Sequence, residues 1–133
     1  MPGRATGLAL VSSEPLSFWG GYDAGTGEIL DRRHPLSGQN AAGKVLAIPF
    51  TKGSSTTTQI LLEAIRTGTA PAAIVSRGED SFLALASIVA DEMYQKPIPI
   101  LAVSPEDFAR LRTGQRIEIH ESGRMEIENQ GEM

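Results

Sequence analysis

The residues best suited to chemistry lie in one run, Lys52-Gly53-Ser54-Ser55-Thr56-Thr57-Thr58. A glycine and five hydroxyls stand between an apolar stretch at residues 44–49 and an amphipathic one at residues 59–66. A strand feeding a helix start through Gly-Ser-Ser gathers unpaired backbone N–H groups and hydroxyls around one point. That suits holding a carboxylate or phosphate and aiming a hydroxyl at a reacting carbon. The plainer alternative is capping, in which one of Ser54, Ser55 or Thr56 bonds an orphan helix N–H. Capping needs a single hydroxyl, and three consecutive β-branched threonines are poor helix formers, so the run asks for a further reason. It matches neither the nucleotide loop GxxxxGK[ST] nor the nucleophile elbow GxSxG.

Three further stretches carry reactive or ligand-binding types. Ser17-Phe18-Trp19-Gly20-Gly21-Tyr22-Asp23 holds the one tryptophan and a glycine pair. The glycines let backbone approach a ligand, or they make room for an aromatic that closes the end of a sheet. In residues 31–39, an arginine, Arg32 or Arg33, could clamp a carboxylate bidentately; the alternative is a solvated loop with a local Asp31–Arg pair. Residues 77–80 form a polar turn and helix start at the C-terminal end of a strand, where α/β sites gather. His120 alternates with Ile117 and Ile119 and reads as a surface residue.

The elements that must position these residues follow from periodicity. Residues 7–12 and 72–76 are short apolar runs and read as strands, as does the stretch at 44–49. Residues 13–39 are rich in Gly, Pro, Ser and Asp and predict a long functional loop. Residues 59–66 predict a helix with Ile60, Leu61, Ala64 and Ile65 inward, ended by Gly68. Residues 81–94 predict a second helix, apolar along Phe82, Leu85, Ile88 and Val89. Prolines keep the strand at residues 97–103 short or at an edge. Ser104 caps a third helix with Pro105 in its first turn. Residues 116–120 and 124–128 alternate with period two and predict a terminal hairpin. The order predicts an α/β fold with a parallel βαβαβ core, additional strands and a C-terminal hairpin. Residues 1–133 are expected to form one domain, with 129–133 a frayed tail.

Composition narrows the function classes. The chain has 133 residues, 12 Lys+Arg against 16 Asp+Glu, and no basic run, which argues against a nucleic-acid partner. No apolar run approaches the roughly 20 residues of a membrane helix, and the N-terminus lacks the apolar core of a secretory signal, so a cytoplasmic protein is expected. There is no cysteine, hence no thiol nucleophile, disulfide or cysteine-held cluster on this chain. Two histidines, His34 and His120, stand far apart, so no metal site is expected on this chain alone.

The segments at residues 17–21, 33–38, 43–49, 52–55 and 68–75, taken in that order, resemble the small, swivel-domain subunit of aconitase X. The resemblance spans residues 7–101. It implies a swivelling β/β/α domain like the mobile domain of aconitase. It also implies a large-subunit partner carrying cysteines, an iron–sulfur cluster and most of the substrate pocket, with no cofactor bound by this chain alone. Family members are hydro-lyases. The bacterial branch converts cis-3-hydroxy-L-proline to 1-pyrroline-2-carboxylate, and the archaeal branch dehydrates 5-phosphomevalonate. Residues 18–21 and 32–36 resemble the bacterial branch more.

Carried onto this chain, the resemblance makes Ser54 the base that takes the proton next to the carboxylate. The cluster iron on the partner acts as Lewis acid on the leaving hydroxyl. Gly53, Ser55, Thr56 and Arg33 become substrate contacts. Ordinary aconitases follow the serine pair with an arginine; Thr56 stands there, so the carboxylate clamp must come from Arg33 or the large subunit. Two other classes compete. A phosphocarrier swivel domain needs a histidine on the helix-start loop, where this chain has hydroxyls. A non-catalytic binding subunit would only cap a partner, and would tolerate loss of Ser54.

Overall fold

The computed structural model describes residues 3–18, 20–52 and 55–128, with Ser55 and Thr56 placed by backbone alone. Trp19, Gly53, Ser54 and the tail expected at 129–133 lie outside the described residues. The elements run β1 (Ala5–Val11), β2 (Leu16–Ser17), β3 (Val45–Ile48), β4 (Thr51–Lys52), α1 (Ser55–Thr67), β5 (Ala73–Arg77), α2 (Ser81–Tyr94), β6 (Ile100–Val103), α3 (Pro105–Ala109), β7 (Arg116–Ile119) and β8 (Met125–Glu128). Six strands form one sheet in the order β6-β5-β3-β1-β7-β8. β1, β3, β5 and β6 are mutually parallel, and β7 and β8 add antiparallel strands beyond β1. This is the βαβαβ core with a terminal hairpin. β6 is both short and at the edge, where Pro97 and Pro99 leave it.

Alternation along the strands sends residues to two cores. Leu10, Leu46, Ile48 and Ile74 face α1, α2 and the long loop. Ala9, Val45, Ala47, Ala73, Val75, Ile117 and Ile119 face the other way, against Phe108 and Leu111 around α3. Every residue of β3 is buried, as expected for a parallel strand covered on both faces. The sheet curls, so that Leu101 and Val103 of β6 line one cavity of about 420 Å³ with Met125 and Ile127 of β8. A sheet folded toward itself with one helical layer outside gives the β/β/α arrangement.

α1 starts at Ser55, four residues before the expected start, so residues 55–58 of the hydroxyl run form its first turn. Two of the hydroxyls have structural bonds. Thr57 Oγ1, fully buried, donates to the Lys52 carbonyl at 3.4 Å, and Thr58 Oγ1 donates to the Phe82 carbonyl at 3.2 Å. These tertiary bonds override the weak helix propensity of threonine.

α2 has the expected bounds but the opposite orientation. Its buried residues are Leu83, Ala86, Ser87 and Ala90, whereas Phe82, Leu85 and Ile88 are exposed. Small residues let α2 lie close to the sheet and α1, and the Ser87 hydroxyl is satisfied by the Ile98 backbone on both sides. Asp80 caps the helix. α3 is capped by Ser104, whose Oγ accepts from the Asp107 N–H at 3.2 Å.

Between β2 and β3, residues 20–44 form a layer over α1. Gly21 is required by packing: a Cβ there would sit 2.1 Å from the Ser17 carbonyl oxygen. Phe18 and Tyr22 stack with centroids 5.1 Å apart, and the Tyr22 hydroxyl donates to the Thr69 carbonyl at 2.8 Å. Burial pushes the Tyr22 phenol well above the ordinary tyrosine range. The folded state therefore keeps this proton where the unfolded chain loses it. Its contribution is complete below about pH 10 and is lost as pH climbs beyond that. Tyr22→Phe is expected to cost about 1 kcal/mol at neutral pH and to flatten the alkaline decline. Urea midpoints at about pH 8 and pH 11 check this; an equally steep decline in both proteins would refute it.

Candidate functional site

The two-residue strands β2 and β4 pair in parallel, Leu16 with Thr51 and Ser17 with Lys52. This short ladder brings the segment after β1 alongside the residues that lead into Gly53. The loop at residues 31–36 closes over both. Asp31 starts it, its carbonyl accepting from the His34 N–H and its carboxylate accepting from the Arg33 N–H at 3.0 Å. The carboxylate thus turns the backbone, in place of the side-chain ion pair that a solvated loop would carry.

His34 fastens this loop. Its imidazole is buried, and Nδ1 accepts from the Leu36 N–H at 3.1 Å. In the neutral ring Nε2 then carries the proton, facing the Glu14 carbonyl at 3.3 Å and Ser12 Oγ at 3.5 Å. Ser12 Oγ in turn accepts from the Glu14 N–H at 2.9 Å. Histidine therefore ties residues 12–14 to residues 31–36, a role that the sequence analysis did not weigh. The buried position of one histidine in a Pro-Leu-containing loop was its only sign.

The result is an open polar cavity of about 520 Å³ lined by Glu14, Pro15, Asp31, Arg33, His34 and Lys52. Arg33 and Lys52 put two cations on its wall, and Lys52 is the residue before Gly53. Ser55 and Thr56, expected to touch substrate, lie in the first turn of α1. Gly53 and Ser54 fall outside the described residues, between β4 and α1 in sequence. α1 has no acidic residue in its first turn, unlike α3 with Glu106 and Asp107, so nothing in that turn opposes its positive end.

The end of β4, the first turn of α1 and the start of α2 are joined by hydrogen bonds. Asp80 Oδ2 accepts from the Thr51 N–H at 2.8 Å and from its hydroxyl at 2.7 Å. Asp80 Oδ1 accepts from the Phe82 and Leu83 N–H groups at 3.1 and 3.2 Å. Thr57 and Thr58 join the first turn of α1 to Lys52 and Phe82 as described above.

His120, expected at the surface, is half-buried on the hairpin. Its Nε2 lies 3.3 Å from Glu126 and 3.8 Å from Glu118, while Arg124 also pairs with Glu126. These three ligand-type side chains share one face because Glu118 and Glu126 are direct cross-strand partners. They belong to the hairpin, not to the cavity, and no thiolate accompanies them. The chain therefore offers no ligand set for an iron–sulfur cluster. Among the described residues no helix is long and apolar enough to cross a membrane.

Fold and cavity together define a curled α/β domain with two cations, Arg33 and Lys52, on the wall of an open polar cavity. A family model described as the aconitase X swivel domain matches residues 1–128, and the chain belongs to that family. It is 46% identical over 127 residues to a cis-3-hydroxy-L-proline dehydratase of Pseudomonas aeruginosa, covering 89% of this chain and 21% of that protein. It is 36% identical over 126 residues to a phosphomevalonate dehydratase small subunit of Thermococcus gammatolerans, covering 94% and 90%. The crystal structure of the holo-form of Thermococcus kodakaraensis aconitase X is similar at a TM-score of 0.81 and 33% identity, covering 96% of this chain and 92% of that one. The chain spans about a fifth of the length of the first two dehydratases it matches, 21% and 20%.

Proposed function

We propose that this chain is the swivel unit of an aconitase-superfamily hydro-lyase, completed by a large subunit, and that Ser54 is its base. The substrate in this reading is cis-3-hydroxy-L-proline. Ser54 takes the proton from the carbon bearing the carboxylate, the hydroxyl leaves from the neighbouring carbon, and water is released. The resulting enamine tautomerises to 1-pyrroline-2-carboxylate. The observation that carries the proposal is the 46% identity to a protein of that activity across 89% of the chain. The site's physical features agree with it. A neutral serine is a weak base, so its alkoxide needs stabilisation, and an N-terminal helix turn without acids favours negative charge. Arg33 and Lys52 suit the substrate carboxylate, with Gly53, Ser55 and Thr56 supplying contacts from the turn itself. An iron–sulfur cluster, in this reading, belongs to the large subunit.

A second substrate, 5-phosphomevalonate, is favoured by the 44% identity over 88 residues to a phosphomevalonate dehydratase small subunit of Methanothermobacter thermautotrophicus. Two cations on one cavity wall also suit a phosphate. The test is to assemble the chain anaerobically with an aconitase X large subunit and to assay both compounds separately. Turnover of hydroxyproline alone supports the first substrate, and turnover of phosphomevalonate alone replaces it with the second. A well-formed complex that dehydrates neither overturns both.

A further inference from the structure

We propose that the C-terminal hairpin carries a site for a divalent transition-metal ion of the zinc class, with His120 Nε2, Glu118 and Glu126 as its ligands. The three side chains come from both sides of the hairpin. Glu118 and His120 are two residues apart, and Glu126 is the direct partner of Glu118 in the β7–β8 register. Residues two apart share a face of a strand, so all three stand on the side opposite Ile117 and Ile119, which enter the core. Their ligand atoms lie within 4.8 Å of one another. His120 Nε2 is 3.3 Å from a Glu126 oxygen and 3.8 Å from a Glu118 oxygen. Around a tetrahedral ion with bonds of about 2.0–2.2 Å, neighbouring ligand atoms stand about 3.3–3.5 Å apart. Small side-chain rotations therefore close the set, and a fourth position is left for water.

Two observations call for a cation at this place. Nε2 of His120 is buried and has no hydrogen-bond partner among the described residues; it stands near Glu126 without the alignment of a hydrogen bond. Buried polar atoms are ordinarily satisfied. Glu118 and Glu126 also face each other directly, and like charges so placed oppose the pairing of their strands. Arg124 offsets this only from one side, since it pairs with Glu126 and its side chain is 68% exposed. One dication answers both demands, taking the nitrogen lone pair and neutralising the two carboxylates. An imidazole with two carboxylates suits zinc and its neighbours, whereas magnesium and calcium prefer oxygen ligands alone. Histidine spacing could not announce the site, because its other ligands are carboxylates on two strands. β8 shows what the ion would do. None of its four residues is buried, so burial holds this edge strand weakly, and a metal bridge would staple it to β7.

Zinc chloride titrated into the metal-stripped full chain is expected to bind one-to-one. Zinc at about 100 times its Kd should raise the melting temperature by roughly 5–10 °C. The chain has only two histidines, so imidazole NMR locates the ion: the ring signals of His120 should shift and those of His34 should stay. His120→Gln and Glu118→Gln should each weaken binding about 10-fold or more, and calcium should bind wild type at least about 10-fold more weakly than zinc. Glu63→Gln, which removes an exposed carboxylate on α1, should bind zinc as wild type does. A plain ion pair of His120 with the two glutamates predicts neither saturable zinc binding nor a zinc-dependent rise in melting temperature, and that result overturns the proposal. So does a shift of His34 alone, undiminished binding in His120→Gln, or calcium binding as tight as zinc. Should either ligand variant fail to fold, the imidazole signals of the wild-type chain decide the matter by themselves.

Discussion

On the proposed mechanism, replacing Ser54 by alanine is expected to lower kcat of the assembled enzyme by about 10³-fold or more, with KM changed far less. Proton abstraction by a placed side chain contributes about 10²- to 10⁴-fold. No described side chain on the cavity wall offers a replacement already aimed at the same carbon. Asp31 is engaged by the Arg33 N–H, and His34 is buried with Nδ1 committed to Leu36. A loss in kcat and kcat/KM alike marks an interaction made in the transition state. Ser55→Ala provides the comparison and should lose much less, since a binding hydroxyl is worth about 1 kcal/mol. Near-wild-type turnover by the Ser54 variant would make the chain a cap on its partner and end the catalytic reading.

Substituting Gly21 by alanine destabilises the chain by about 3 kcal/mol, at the upper end of overpacking costs. The added methyl would meet the Ser17 carbonyl oxygen at 2.1 Å, a backbone atom that cannot swing aside. Relief requires moving Ser17 or Gly21, and Ser17 is paired to Lys52 in the β2–β4 ladder. The damage should therefore reach the cavity as well as the core beneath Phe18 and Tyr22. Gly20 is the control. A Cβ there meets nothing within 4 Å, and only its φ of +74° opposes a side chain. Gly20→Ala should cost about 1 kcal/mol, the left-handed penalty alone. Urea midpoints of the two variants decide it; equal losses would show that the contact with Ser17 carries no weight.

The sheet and helix order was legible because β3 and β5 are continuous apolar runs buried on both faces, while α1 and the hairpin each bury a face that repeats at its own period. α2 shows where such reasoning fails. Phe82, Leu85, Ile88 and Val89 form the strongest apolar stripe, yet close packing selected Ala86, Ser87 and Ala90 for the inner face. Hydrophobicity ranks side chains by their preference for burial, but a narrow gap admits only small ones. The start of α1 was misplaced because threonine disfavours helix locally, while the bonds of Thr57 and Thr58 are tertiary and invisible to local pattern. The Gly-Ser-Ser run and the arginines of residues 31–39 drew attention by residue type alone. Their neighbourhood was not, because a two-residue parallel ladder between β2 and β4 has no periodicity to read. Likewise residues 77–80 announced a helix start, whereas the Thr51 partner of the second Asp80 oxygen lies 29 residues away.

The central place of β1 has a consequence for how the chain is made. β1 precedes the other strands of this sheet in the chain, and it lies between β3 and β7. Its parallel neighbour follows some forty residues later, and its antiparallel neighbour, β7, more than a hundred residues later. Until residues 116–119 are available, one long edge of β1 stays open in every nascent intermediate, an invitation to pair with another chain. Pairings so distant in sequence also make loop closure slow. β1 is thus among the last strands of this sheet to be sealed, and productive folding during synthesis depends on shielding that edge until β7 and β8 arrive.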